Sequence, residues 1–271
     1  MGRTGYPLVK NSSWPLLASL ATLSSIGGFI LFVHDGAVFP LCFGMGLLVT
    51  TLTSWWGDVV IEGSYLGRHT SLVLRNYYIS MKLFILSEAF FFVSFFWSLV
   101  HVKVGELSSN YSWPPRGVEA INPWGIPFLN TGLLVGSAGT VTSAQKHVQA
   151  FSKCYHNSLD YNIHKNRGVG WFGITIFLGI FFMSVQYHEY HILNFTIADS
   201  AFGSCFFVMT GFHGIHVFVG IVFLSVACFR LSLGHFSKGM NRFNVVAAIW
   251  YWHFVDVVWI LLVFLLYFGA F

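Results

Sequence analysis

Between Ser80 and His101 the chain reads SMKLFILSEAFFFVSFFWSLVH, and one acid, Glu88, stands inside a run that is otherwise apolar, aromatic or serine. A helix of about 20 such residues crosses the hydrocarbon core of a bilayer. Glu88 then falls near the middle of the span, where an acid costs about 2.5–3.5 kcal/mol on the insertion scale. Such a carboxyl must find a partner or keep its proton. Two other apolar stretches offer partners. TGFHGIH places His213 and His216 three residues apart, and WYWHFVDVVW does the same for His253 and Asp256. Residues three apart share a helix face. Two such helices could in principle supply haem or metal ligands. Aromatics flank both pairs, however, and an imidazole–carboxylate contact satisfies His253 and Asp256 without a metal. Glu88, His213, His216, His253 and Asp256 are therefore expected to form a buried polar network between helices, with no catalytic residue and no metal site among them. Ser87, Ser94 and Ser98 make a row of small residues beside Glu88, where another helix is expected to pack.

A second group lies at the edge of the apolar runs. Trp56, Glu62, His69 and Arg230 combine an interfacial tryptophan with histidine and arginine at headgroup depth. These are residue types that a phospholipid phosphate requires, and equally the types used for interfacial anchoring and ion pairing. Cys42, Cys154, Cys205 and Cys228 are scattered singly, which points to neither a disulfide framework nor a thiolate metal site.

The elements that must hold these residues are long apolar helices. Of 271 residues 55% are hydrophobic, 19% aromatic and only 9% charged, whereas about a quarter of a soluble domain is charged. The pattern predicts an all-α polytopic membrane protein with seven spans. They begin or end near residues 15–33, 39–56, 80–101, 129 onward, 170–187, 201–229 and 245–268. His34-Asp35-Gly36 predicts a tight turn between the first two spans. A basic loop is expected from Lys146 to Arg167, and the stretch HEYHILNFTIADS as a short loop before the sixth span. Gly132-x-x-x-Gly136 in the fourth span has the spacing that lets helices approach closely. Seven spans put twelve of the 14 Lys and Arg on the side of the N-terminus, leaving Lys103 and Arg116 on the other. By the positive-inside rule the N-terminus faces the compartment from which the protein inserts. The net charge of +4 is small and gives no reason to expect nucleic acid. Asn110-Tyr111-Ser112 and Asn194-Phe195-Thr196 are glycosylation sequons, both on the side poor in basic residues.

Several motifs then line up in order along nearly the whole chain. They are Ser13-Trp14-Pro15-Leu16, Trp55-Trp56-x-Asp58-Val59 and Gly67-x-His69-Thr70, followed by Ser87-Glu88-x-x-Phe91-Phe92 and Phe95-Phe96-Trp97. Next come Trp113-Pro114-Pro115-x-Gly117, Asn122-Pro123 and Pro127-x-Leu129-Asn130-Thr131. The last are Phe195-Thr196-Ile197-x-Asp199, Phe206-Phe207, Thr210-Gly211-Phe212-His213-Gly214-x-His216-Val217 and the run from Trp250 to Trp259. In this order the chain resembles subunit III of the haem–copper cytochrome c oxidases, in its mitochondrial form.

The resemblance implies a bundle of seven transmembrane helices in a two-plus-five arrangement, split by a V-shaped cleft that holds lipid. The two-helix arm would take residues 15–76 and the five-helix bundle residues 77–271. It implies a subunit with no redox centre of its own, packed on subunit I, supporting proton uptake and protecting the oxygen-reducing centre during turnover. Haem a and copper would belong to partner subunits I and II. Small accessory subunits and phospholipid would complete a hetero-oligomer able to join a larger respiratory assembly. The location would be the mitochondrial inner membrane, with the N-terminus in the matrix and the C-terminus in the intermembrane space. Glu88 matches the membrane-buried glutamate that carbodiimides modify, and Trp56, Glu62, His69 and Arg230 match positions that hold a phospholipid head group. Gly57 stands where many relatives have arginine, and the 146–167 segment is longer and more basic than in animal relatives.

The residues speak against two other readings. A seven-helix receptor would put its N-terminus on the opposite side and shows no DRY or NPxxY motif here. A proton-coupled transporter, with Glu88 and Asp256 as relay acids, predicts broken helices or repeated halves, and the sequence shows neither.

Overall fold

The computed structural model describes residues 6, 11–108, 112–154, 159–236 and 242–270. Arg3, Lys10, Lys238 and the Asn110-Tyr111 part of the first sequon lie outside the described residues. Seven helices follow one another: α1 (Trp14–Asp35), α2 (Val38–Ser64), α3 (Ser71–Ser108), α4 (Ile126–Phe151), α5 (Leu159–Ile192), α6 (Ala201–Ser232) and α7 (Phe243–Leu262). A π-helical turn, Val263–Phe268, continues α7. The chain divides into two compact units, Met1–Tyr77 and Tyr78–Phe271.

In the first unit α1 and α2 form an antiparallel hairpin. Gly36 closes α1 in the left-handed region (φ 67°), and its N–H reaches Phe32 O at 3.0 Å while Ala37 N–H reaches Leu31 O at 3.4 Å. Only a residue without a Cβ takes that conformation at no steric cost. The two helices then touch backbone to backbone: a Cβ on Gly28 would lie 2.6 Å from the carbonyl carbon of Pro40, and one on Gly44 2.6 Å from Ser25 N. At the far end of the hairpin Trp14 Nε1 donates to Asp58 Oδ2 at 2.6 Å.

The second unit is built around α7, buried on most of its circumference. Trp252 sits where four helices meet. Its indole N–H donates to Ser137 Oγ on α4 at 2.8 Å, and its ring lies against Gly179 of α5 and Gly220 of α6. Seven residues on, Trp259 donates to Thr131 Oγ1 of α4 at 3.1 Å and meets Phe182 of α5 and His213 of α6 edge-on or tilted. Eight residues further, Tyr267 takes the same face, against Phe206 of α6 and Glu189 of α5. Eight residues of regular α-helix would rotate a side chain about 80° off that face, whereas a π-helical turn absorbs one extra residue and brings it back.

The elements depart from the expected bounds in one direction. α2 continues through the polar stretch to Ser64, and α3 runs from Ser71 to Ser108. The expected basic loop from Lys146 to Arg167 is largely helical, because α4 extends to Phe151 and α5 begins at Leu159; α5 then continues to Ile192, through the HEYHI that opens the expected HEYHILNFTIADS loop. Apolarity marks where hydrocarbon begins and ends, while backbone hydrogen bonding carries helices beyond it.

One packing expectation fails within this chain and another holds only in part. A Cβ on Gly132 or Gly136 would meet nothing within 4 Å, so no helix of the described residues approaches there. Ser87, Ser94 and Ser98 are exposed, and Ser87 and Ser94 bond back to the carbonyls of Phe84 and Phe91 on their own helix, while Ser98 hydrogen-bonds Cys205 of α6.

α1, α2, α3, α5, α6 and α7 with its π-helical turn are long and apolar enough to cross a membrane; α4 is not among these six. α4 is long enough at 26 residues, but carries buried Asn130 and Ser137 as well as Thr140. These polar groups turn inward: Thr140 Oγ1 lies 2.8 Å from Thr175 Oγ1 on α5, and Ser137 serves Trp252. Interhelical hydrogen bonds of this kind hold helices together where the hydrophobic effect is absent.

Candidate functional site

The five residues expected as one network separate into three contacts, all in the second unit. Glu88 on α3 meets a single imidazole: Oε2 lies 3.0 Å from His216 Nε2 on α6, with Glu88 24% and His216 11% exposed at the side chain. The other ring nitrogen, His216 Nδ1, lies 2.7 Å from Phe212 O, one turn back. A carbonyl only accepts, so Nδ1 carries a proton. One further proton then lies between Nε2 and Oε2, held as a neutral carboxyl donating to the ring or as an imidazolium donating to the carboxylate. Either arrangement satisfies Glu88. Phe92 and Tyr251 close the site around the His216 ring.

His213, one turn before His216, turns away from Glu88. Its Nε2 lies 3.2 Å from Val255 O on α7, and its ring packs on Phe182 and Trp259. It is 1% exposed. His253 Nδ1 and Asp256 Oδ2 are 3.7 Å apart, an ion-pair separation too long for a direct hydrogen bond. The expected acceptors for Glu88 thus reduce from three histidines to His216. Among the described residues no group of three or more His, Cys, Asp or Glu is placed to hold a metal ion.

In the first unit Glu62 Oε1 pairs with Arg68 Nη1 at 3.3 Å, a partner that residue types alone did not single out. The His69 ring packs against the backbone at Gly63 and meets Tyr77 edge-on at 5.2 Å. Trp56 is 57% exposed, as an interfacial anchor is. In the second unit Arg230 stacks its guanidinium over Phe236 at 5.0 Å. His235 follows it closely, its N–H on Arg230 O at 3.1 Å. Burial, then the neighbouring Arg230 charge, holds the His235 imidazole below the usual histidine range. The neighbourhood of Arg230 is electropositive.

A further polar set was not expected at all. Glu189, Gln186, Asn130 and Tyr267 join α5, α4 and the π-helical turn, with Glu189 1% and Asn130 0% exposed. Gln186 and Glu189 stand three apart, the spacing that singled out the other pairs. The apolar run ends near Tyr187, so in the sequence Glu189 reads as a loop residue.

Helices of membrane-spanning length, polar side chains turned inward and acids paired within the bundle define an all-α polytopic membrane protein. The family model for cytochrome c oxidase subunit III matches residues 4–271. Cytochrome c oxidase subunit 3 of Drosophila melanogaster is 42% identical over 263 residues, covering 97% of this chain and 95% of that protein. The subunit of Lycodon semicarinatus is 41% identical over 260 residues, 95% and 94% of the two chains. That of Prototheca wickerhamii is 40% identical over 271 residues, 99% and 98%. The chain belongs to the cytochrome c oxidase subunit III family, and is a subunit of that oxidoreductase complex, respiratory complex IV. The transporter reading is not favoured.

Proposed function

We propose that this chain is a core subunit without a redox centre, packed on subunit I of a mitochondrial oxidase whose haem a and copper are held by subunits I and II. Supporting the reading is the way the bundle uses its polar side chains. Glu88 and His216 satisfy each other, Ser137 and Thr131 serve Trp252 and Trp259, and His213 bonds a backbone carbonyl. Such a bundle supports a neighbour's chemistry by position and by the lipid it retains. The proposal carries the division into a two-helix arm, residues 15–76, and a five-helix bundle, residues 77–271. It places the N-terminus in the matrix and the C-terminus in the intermembrane space, on the strength of the lysine and arginine bias. It includes small accessory subunits, and support of proton uptake and of stability during turnover. Phospholipid head groups are held by Trp56, Glu62 and His69 in the first unit and by Arg230 in the second.

Affinity isolation through a tag at the N-terminus tests the assignment. The isolated material should carry a haem a absorption spectrum, and in intact inner-membrane vesicles the tag should be reached only from the matrix face. Isolation without haem a, or a tag reached from the other face, removes the corresponding part of the proposal.

A further inference from the structure

At the end of the second unit where α4 begins and α5 and the π-helical turn finish, the hydrogen bonds run in one direction. Tyr267 O–H and Gln186 Nε2 both donate to Glu189 Oε2, at 3.1 and 2.8 Å. Asn130 Nδ2 donates to Gln186 Oε1 at 3.1 Å. The order is fixed by the acid. A carboxylate oxygen turns the Gln186 amide nitrogen toward itself, Gln186 then presents its oxygen to Asn130, and Asn130 must answer with its own nitrogen. Two acceptors are left over. Glu189 Oε1 and Asn130 Oδ1 are buried and have no hydrogen-bond partner among the described residues. A buried site short of donors lacks a donating ligand.

Glu189 also forms part of the wall of a pocket of about 280 Å³. Glu119, Asn122 and Asn194 share that wall, and among the described residues no Lys, Arg or His lines it. Asn194 Nδ2 donates to Glu119 Oε2 at 3.3 Å, steadying the second carboxylate at the mouth. Ile192, the last residue of α5, borders the pocket, and so do Ile126 and Pro127, which open α4. The two helix ends carry about half a charge of opposite sign each and cancel, leaving the two carboxylates to set the potential.

We propose that this pocket binds a hydrated divalent cation of the Mg²⁺ type, held by Glu189 and Glu119. Two carboxylates are too few for a Ca²⁺ cage of six to eight protein oxygens, but Mg²⁺ keeps several waters and is held through one or two carboxylates. Six waters at about 30 Å³ each occupy roughly 180 Å³, which fits the pocket. Waters on the ion are strong donors, the complement of Glu189 Oε1.

The oxidase complex containing this chain is stripped with chelator and titrated with Mn²⁺, a paramagnetic substitute for Mg²⁺, with free and bound ion read by electron paramagnetic resonance. The parent complex is expected to bind one equivalent more than complexes carrying Glu189→Gln or Glu119→Gln, or to bind that equivalent at least tenfold more tightly. Glu119 is exposed, so Glu119→Gln tests the site even where Glu189→Gln fails to assemble. Equal Mn²⁺ binding by the parent and the Glu119→Gln complex overturns the proposal, because the two carboxylates then do not share an ion. Competition by Mg²⁺ at the same equivalent supports it, and displacement by ethanolamine head groups instead of Mg²⁺ overturns it.

Discussion

A carboxyl in the middle of a bilayer is stable when one neighbour can take either role toward it, and His216 does so for Glu88. Because Nδ1 is committed to Phe212 O, the single proton between Nε2 and Oε2 is the only variable in the contact. Glutamine at position 88 removes that variable and keeps the bond, since its amide donates to Nε2 from the same place. Glu88→Gln is therefore expected to leave assembly and oxygen-reduction rate within about twofold of the parent and to abolish carbodiimide labelling, read by mass spectrometry of the isolated chain. Glu88→Ala strands a half-buried imidazole nitrogen and should lower the stability of the complex by about 1–2 kcal/mol, the range for an interhelical hydrogen bond in a membrane. Loss of oxygen reduction in Glu88→Gln would make Glu88 an obligatory proton carrier, which the paired geometry does not support. Of this site the sequence showed a lone acid that must find a partner or keep its proton, with His213, His216 and His253 as candidate partners. It did not reveal which one, because His213 and His216 lie one turn apart and only the rotation of α6 against α3 and α7 separates them.

At the scale of the elements, the apolar pattern located all seven spans, although only six of the helices are apolar enough on average to cross a membrane. α4 escapes a hydropathy measure because its polar residues are its packing surface; Asn130, Ser137 and Thr140 would be a liability facing lipid and are adhesive facing α5 and α7. The same blindness hid Glu189, which stands past the apolar run yet inside α5. Glycine spacing misled for a related reason. Gly132-x-x-x-Gly136 has the pattern of a close helix contact but faces none in this chain, while the contact that matters falls on Gly179 and Gly220, which flank Trp252 from different helices. No spacing within one helix reports that arrangement. A Cβ on Gly179 would come 2.7 Å from Trp252 Cη2, an atom whose ring is held at its other end by Ser137. Gly179→Ala should thus cost about 1–3 kcal/mol, the usual penalty of overpacking, and lower the midpoint of thermal inactivation of the complex. Gly136→Ala, with open space at its Cβ, should leave the folding of this unit unchanged. Equal midpoints for the parent and the Gly179→Ala complex would mean that Trp252 does not anchor the bundle.

At the scale of the whole molecule the question is what this subunit contributes to the oxidase. The charges suggest one answer. The proposed seven-span topology would put twelve of the 14 Lys and Arg on one side of the membrane, and Arg230 is half-buried, stacked on Phe236 and set beside His235, whose imidazole is held below the usual histidine range by burial first and the Arg230 charge second. A guanidinium placed in that way has given up much of its water, so an anionic phosphate regains more interaction there than at an open surface. His69 is likewise fixed, wedged between Gly63 and Tyr77 rather than free in solvent. Both features suit a lipid that stays with the protein through purification. Arg230→Ala and His69→Ala are each expected to lower the phospholipid retained per purified complex, measured as phosphorus against haem a. Neither residue is placed to touch a reacting group, so the initial rate of oxygen consumption should stay near that of the parent. The number of turnovers completed before inactivation should fall severalfold, because a centre whose surroundings loosen is exposed to damage in proportion to cycles run. A variant that loses lipid yet lasts as long as the parent would separate the two roles; one that keeps its lipid would remove Arg230 and His69 from the lipid site.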